Sequence, residues 1–427
     1  MRKILQFILK ILAKIVLNKY HPEVIGLTGS LGKTSAKEAV YAVLKNKFNV
    51  RQSPKNYNNE LGVPLTILGA VSPGSSILGW LKLFGKFFNL IVKTDNNYPP
   101  LLILEMGVDR PGDMKYLTSI VQPHIGIVTA VKNSHLEFFE KVENIKKEKQ
   151  ALIDNLSKNG LAVLNYDNQY TRDMAKSSKF KVLTYGLEEG ADVLAQEINF
   201  SVDKDSPEIS GINFKVNYQG SIVPVSLPRV IGYPAVYAAL AAIAVGIYYE
   251  LNLVEIAGYL KEFALPAGRL NLIPGVNNSL LIDDTYNSSP ASTLAALEML
   301  EKIDSQSGRK IVALGDMLEL GPETESGHQE IGVKVATMKI DQLILVGEKA
   351  RIIGETAVAS GFKESNVVYF SDSLAAAQEL VSKVAIHDVV LVKGSQGARM
   401  EKLVKTLMAQ PEKAKDLLVR QGTGWDD

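Results

Sequence analysis

The segment Gly26-Leu-Thr-Gly29-Ser30-Leu31-Gly32-Lys33-Thr34-Ser35 constrains this chain more than any other. It follows an apolar run, Val24 to Leu27, of the kind that forms a buried parallel strand, and it opens a stretch with helical spacing, Ser35 to Lys45. A strand, a glycine turn and a helix in that order bring converging backbone N–H groups to the positive end of a helix dipole, which makes a cradle for phosphate. In such a cradle Lys33 reaches the outer phosphates and the Thr34 hydroxyl serves Mg²⁺, with Gly29, Ser30, Gly32 and Ser35 forming the rest of the loop. The general P-loop spacing would need glycine at Leu27, so this is a variant of it.

The same rhythm continues. Leu101 to Leu104 and Ile125 to Val131 read as further buried strands of a mostly parallel sheet. Between Phe180 and Leu227 the pattern changes to short alternating segments with a turn at Gln219-Gly220, which predicts a small antiparallel insertion. Ala235 to Tyr249 reads as a buried alanine-rich helix. After Pro266-Ala-Gly268 a second series follows, with strands expected at Leu280 to Asp283, Lys310 to Leu314, Gln342 to Val346, Val367 to Phe370 and Val389 to Val392. The fold class is therefore α/β: a P-loop central domain at 21–266, then a Rossmann-like C-terminal domain at 267–427. Residues 1–20 carry five basic side chains and no acid, and form a separate basic amphipathic helix too broken by lysine to span a bilayer. The tail from Pro411 reads as helical at first and then loose.

Charge limits the partners. With 47 Lys plus Arg against 46 Asp plus Glu, no global field favours nucleic acid, and an anionic ligand must be held locally. The absence of cysteine excludes disulfides and thiolate chemistry and fits a reducing, cytoplasmic compartment. Any metal would sit on oxygen or imidazole.

Glu105 closes the strand Leu101 to Leu104 and so belongs at the carboxyl edge of the sheet, where ligands of such folds bind. His135 follows the strand Ile125 to Val131, and Lys149 lies in the charged run Lys146-Lys-Glu-Lys149. By themselves His135 reads as a surface or structural residue and Lys149 as part of a solvated helix face.

Taken together, Gly-Ser-Leu-Gly-Lys-Thr at 29–34, Asn56-Tyr-Asn58-Asn59-Glu-Leu-Gly62-Val-Pro64, Glu105-Met-Gly107, Asn133-Ser-His135 and Lys149 resemble the central domain of the Mur ligases. Asp284-Thr-Tyr286-Asn287, Leu314-Gly-Asp316-Met-Leu-Glu319-Leu-Gly321 with His328, and Leu391-Val-Lys393-Gly-Ser395 resemble the carboxy-terminal domain of the branch that adds D-alanyl-D-alanine. The resemblance runs over residues 22 to 410. It implies an ATP-dependent ligase that activates a muramoyl-peptide carboxylate as an acyl phosphate and joins it to an amine in peptidoglycan synthesis. It also implies two Mg²⁺ ions: Thr34 and Glu105 would hold one, His135 the second, and Lys149 would carry a carbamate made from carbon dioxide. Asn58 and Asn59 would line the acceptor side, Arg269 and Asp284 would meet the nucleotide, and Asp316 and His328 would border the amine's pocket.

Three departures stand out. Family members carry an amino-terminal domain that grips uridine diphosphate, for which the residues before Val24 leave no room. Either the diphosphate is held differently or the acceptor rides on another carrier, such as a lipid. A second basic amphipathic stretch at 77–92, with Lys82 and Lys86, offers a membrane-facing patch together with residues 1–20, unless the two pack on each other or on a second subunit. Finally, Gly232-Tyr-Pro-Ala-Val-Tyr237 and Ser289 stand where the family usually has asparagine-containing motifs. Other readings of the same residues are a Mur-like ligase for a different amino acid and an inactive nucleotide-binding scaffold.

Overall fold

The computed structural model describes residues 2–54, 57–132, 139, 141–201, 211–303 and 308–422. The chain forms two compact units. One holds Met1–Glu197, Phe214–Val225 and Pro234–Phe263, and the other holds Ile198–Asn213, Ser226–Tyr233 and Ala264–Asp427.

The chain begins with α1 (Arg2–Tyr20), β1 (Glu23–Thr28), α2 (Lys33–Leu44), β2 (Val50–Gln52), α3 (Gly62–Ile67), α4 (Ile77–Val92), β3 (Leu101–Glu105), α5 (Asp113–Thr118) and β4 (Ile125–Val128). Then come β5 (Leu161–Asn165), β6 (Lys181–Gly186), β7 (Val193–Ser201), β8 (Gly211–Tyr218) and β9 (Ser221–Pro228), which complete a nine-stranded sheet of order β2-β3-β1-β4-β5-β6-β7-β8-β9. β2 through β6 all pair in parallel, with β1 between β3 and β4. Strands buried on both faces need no polar alternation, which is why β1, β3 and β4 read as unbroken apolar runs.

Gln219 (φ 50°) and Gly220 (φ 83°) both take the left-handed conformation that a two-residue hairpin turn requires, so the expected turn joins β8 and β9. Two expectations need correction. β4 ends at Val128 rather than Val131, because Thr129 and Ala130 turn away to bond the phosphate loop, and Lys181–Gly186 pairs in parallel with β5 instead of opening the antiparallel insertion.

The second unit holds β10 (Asn271–Pro274), β11 (Leu280–Asp284), β12 (Lys310–Gly315), β13 (Gln342–Val346), β14 (Val367–Phe370) and β15 (Val389–Lys393), in the order β10-β11-β15-β12-β13-β14. Only β10 is antiparallel to its neighbour. Val389 and Leu391 enter one apolar cluster while Val390 and Val392 enter another, so helices cover both faces of this sheet.

Candidate active site

The site in the first unit grows from the carboxyl ends of β1, β3 and β4. After Thr28 the chain enters Gly29, where a β-carbon would fall 1.9 Å from Thr129 Oγ1 and where φ is +153°, so only glycine fits. Gly32, with φ +79°, then turns the chain into α2. The loop is tied to the segment after β4: Ser30 N donates to Ala130 O at 2.7 Å, and Thr129 Oγ1 donates to Leu31 O at 2.5 Å. Lys33 Nζ donates to Gly29 O at 2.7 Å, folding the side chain over its own loop. Thr34 is half-buried and Ser35 buried in the first turn, whose N–H groups have no intrahelical acceptors. These are the parts of an anion cradle.

Glu105 ends β3 in register with Leu27 of β1, and is only 2% exposed. Its backbone N–H donates to Ser53 Oγ at 3.2 Å, and its Oε1 accepts from Asn58 Nδ2 at 3.1 Å. Asn58 is itself fixed, since its carbonyl accepts from Gly107 N at 2.7 Å. The other carboxylate oxygen, Oε2, is buried with no hydrogen-bond partner. Burying a carboxylate oxygen unpaired is costly, and a cation is the partner that removes the cost. The donor set fits Mg²⁺, which takes one or two protein oxygens and draws the rest from phosphate and water. No cluster of three His, Cys, Asp or Glu side chains able to hold a metal occurs among the described residues. A cation at Glu105 would therefore share Thr34 and the ligand's own oxygens. Asn133 and His135 lie outside the described residues, as does Asn56.

Lys149 is not on a solvated face. It sits on the helix Val142–Asp154, where Ile145, Lys149, Leu152 and Ile153 are buried. Gly26 and Gly126 are paired neighbours in β1 and β4, and β-carbons there would meet Leu152 and Ile153 at 3.0 Å. The two glycines thus form a shallow trough that lets this helix close onto the sheet. Burial, and then the positive charge of Lys33, lower the Lys149 pKa from 10.5 to about 7, against the opposing pull of Asp109 and Glu148. A lysine that sheds its proton near neutrality is a nucleophile.

Asn59 caps the turn before α3, its Oδ1 accepting from Leu61 N and Gly62 N. It joins Asn58, Asp109 and Arg110 in the wall of a cavity of about 590 Å³.

Sequence reasoning missed three groups here. Ser53 and Thr129 carry no motif, and their roles exist only in the folded register. Lys37 is 1% exposed, with Nζ donating to Ser53 O at 2.7 Å. Its four-residue spacing from Lys33 was a usable sign, since it puts both on one helix face.

In the second unit Arg269 is exposed, with its guanidinium 4.2 Å from the centre of the Tyr286 ring. Its turn is positioned by fully buried Asp283, which accepts from Gly268 N at 3.1 Å and Thr285 Oγ1 at 2.6 Å, and whose pKa burial raises to about 6. Asp284 is ion-paired at 2.6 Å with buried Lys393. Buried Glu401 bridges Arg399 and Arg420, and Arg420 donates to the carbonyls of Thr285 and Tyr286. Asp316 lines a cavity of about 340 Å³ and accepts from Ala350 N at 2.8 Å. His328 is fully buried, with Nε2 accepting from Met317 N at 3.2 Å and Nδ1 2.6 Å from Thr324 O. With both ring nitrogens engaged by main chain, it shapes the Asp316 to Leu318 segment and offers no free atom to an amine.

In the segment that departs from the expected motif, Tyr237 donates to Asp167 Oδ2 at 2.8 Å.

The Mur ligase middle domain matches residues 27–78 and 88–246, and the Mur ligase glutamate ligase domain matches residues 268–396. The chain is 30% identical to the UDP-N-acetylmuramoyl-tripeptide–D-alanyl-D-alanine ligase of Buchnera aphidicola subsp. Baizongia pistaciae, over 94% of this chain and 79% of that one. MurF from Acinetobacter baumannii superposes with a TM-score of 0.77 at 26% identity, covering 93% of this chain and 79% of its own. MurF from Thermotoga maritima, solved in complex with ADP, gives a TM-score of 0.72 at 26% identity and covers 96% and 84%. With both domain models matched in order and one fold shared along nearly its whole length, this chain belongs to the Mur ligase family.

Proposed function

We propose that this protein is an ATP-dependent ligase of peptidoglycan synthesis that joins D-alanyl-D-alanine to a muramoyl tripeptide, with ATP bound by residues 21–266 and the amine by 267–427. The observation that carries the reading is the buried, unpartnered Oε2 of Glu105, at the end of the strand beside the one that bears the phosphate loop. The names of the relatives point to the substrates.

Chemically, the terminal carboxylate of the tripeptide attacks the γ-phosphorus of ATP and ADP leaves, giving an acyl phosphate. The dipeptide amine then attacks the carbonyl carbon, and inorganic phosphate and a proton depart. Two Mg²⁺ ions, when bound, neutralise the charges that keep carboxylate and γ-phosphate apart. Gly29 to Ser35 hold the triphosphate, with Lys33 on its outer phosphates. Asn58 orients Glu105 and, with Asn59, faces the acceptor. Arg269 and Asp284 meet the nucleotide, Asp316 borders the amine's pocket, and His135 serves the second ion.

Lys149 fits carbamate formation. Its neutral amine adds to carbon dioxide, a C–N bond forms, a proton leaves, and the ammonium that would repel a cation becomes an anionic oxygen ligand. The lack of cysteine and the need for ATP both fit work in the cytoplasm.

The test is phosphate release from ATP with UDP-muramoyl-tripeptide and one amine at a time. Release that requires D-alanyl-D-alanine supports the reading. Release with a single amino acid instead would reassign the amine, and ATP binding without turnover on any acceptor would leave only a nucleotide-binding scaffold.

A further inference from the structure

α1 carries two apolar stripes. Leu9, Ala13 and Val16 are fully buried and pack with Phe87 of α4 in the core of the first unit. On the opposite side Ile4, Phe7, Ile8, Ile11 and Ile15, spaced three and four residues apart, face outward, with Phe7 62% exposed. α4 repeats the arrangement. Trp80, Leu83 and Phe84 join the same core, whereas Leu81, Phe88 and Val92 face away from it, with Phe88 66% exposed. Soluble surfaces scatter such side chains singly; two continuous stripes facing outward from one core mark a surface that something covers.

The stripes belong to a preformed platform. Lys19 Nζ donates to the carbonyls of Leu90 (3.2 Å), Ile91 (2.9 Å) and Lys93 (2.7 Å), and Tyr20 OH donates to Leu90 O at 2.9 Å, so the carboxyl ends of the two helices are locked together. The two helices therefore meet along one side only, and the apolar stripes on the other side remain exposed.

Charge names the occupant. Neither helix contains an acidic residue, and the flanks of the stripes carry Lys3 and Lys14 on α1 and Lys82, Lys86 and Lys93 on or next to α4, all exposed. An apolar face whose own two helices carry cations and no acid complements an anionic lipid surface, where the stripes enter the acyl boundary and the ammonium groups meet headgroups. The helices would lie in the interface, since no described helix is long and apolar enough to cross a membrane. We propose that α1 and α4 dock this protein on an anionic bilayer.

The docking face adjoins the acceptor side. Lys3 and Gln6 of α1 line the same cavity of about 590 Å³ as Asn58, Asn59, Asp109 and Arg110. Resting on the function proposed above, docking puts the acceptor cleft at the lipid surface, within reach of a muramoyl peptide carried on a lipid.

Flotation of the full chain with vesicles tests the docking. Binding is expected to phosphatidylglycerol-containing vesicles and not to phosphatidylcholine alone, to weaken at least tenfold between about 0.05 and 0.5 M salt, and to fall at least tenfold in Phe7→Ser/Phe88→Ser and in Lys14→Glu/Lys82→Glu. These side chains are exposed, and unchanged thermal midpoints check that both variants fold. No binding to anionic vesicles at low salt, or binding indifferent to both variants, overturns the proposal. So does a lipid-free dimer in sedimentation velocity that Phe7→Ser/Phe88→Ser dissociates, because the occupant is then a second copy. Phosphate release is measured in parallel with a soluble and with a lipid-linked muramoyl tripeptide: its absence with both, beside normal vesicle binding, would refute the ligase reading and leave the docking standing.

Discussion

Asn58 Nδ2 donates to Glu105 Oε1 at 3.1 Å, from 47 residues away in sequence, and so fixes which oxygen of the buried carboxylate is left for a ligand. A residue that spends one acceptor on a neighbour and buries the other unpaired is poised to bind, and it stabilises the empty fold little.

Glu105→Gln should therefore lower ligase turnover by about 10²-fold or more, as loss of a preorganised charge-stabilising group does, and raise the Mg²⁺ needed for half-maximal rate. The thermal midpoint without Mg²⁺ should stay level or rise, because a buried charge is gone. A clear fall in that midpoint would make Glu105 a structural residue.

Lys149→Ala should abolish turnover, and a short carboxylate such as formate or acetate should restore part of it by supplying the missing anionic oxygen. Full activity in the unrescued variant would remove the carbamate from the mechanism.

The depressed pKa of Lys149 also predicts a pH effect on stability. Below about pH 7 the amine is protonated in both folded and unfolded chains, and the fold bears the whole cost of burying the charge. Between about 7 and 10.5 the unfolded chain binds more protons than the folded one, so this site makes stability rise with pH across that window. In carbon-dioxide-free, Mg²⁺-free buffer, Lys149→Met should raise the thermal midpoint at pH 6 and raise it less, or not at all, at pH 10. Equal increments at both would mean that the buried charge is not the cause.

Two glycines make a paired test. Gly29→Ala would drive a β-carbon to 1.9 Å from Thr129 Oγ1 at a φ of +153°, and should cost ATP binding at least tenfold by calorimetry. A β-carbon added at Gly85, inside α4, would meet nothing within 4 Å, so Gly85→Ala should leave ATP binding alone and add up to about 1 kcal/mol of helix stability.

In the second unit Glu401 is fully buried between Arg399 Nε at 2.6 Å and Arg420 Nη2 at 2.9 Å. Glu401→Ala removes the common partner of both cations and should destabilise by about 3–5 kcal/mol in denaturant unfolding. Because Arg420 also holds the carbonyls of Thr285 and Tyr286, the variant should release the loop beneath Arg269, visible as faster amide exchange there.

Much of the parallel core was legible because β1, β3, β4, β11, β12, β13 and β15 are buried along nearly their whole length and announce themselves as apolar runs. β11 to β15 begin at the expected residues, although β5, equally buried, was not among the expected strands. β2 escaped notice because it is a three-residue edge strand, half-buried throughout, and β10 because an antiparallel edge strand of four residues carries no pattern. The phosphate loop was legible as a local motif, since strand, glycines, lysine and helix are contiguous. Lys149 was not. In sequence it lies among Lys146, Lys147 and Glu148 and reads as solvated.

What the sequence determined by itself is the set of local conformations: which runs are strands, where glycine permits the loop, and which segments form basic amphipathic helices. These follow from steric limits and hydrophobic period, which act between near neighbours. Tertiary structure alone decided the chemistry of the side chains. The Lys149 pKa falls to about 7 because its helix settles into the trough at Gly26 and Gly126 and carries the amine out of water toward Lys33, and Glu105 keeps a free oxygen because Asn58 crosses from another loop. Protonation and ligand affinity depend on solvent exclusion and on charges distant along the chain, and neither exists before the fold does.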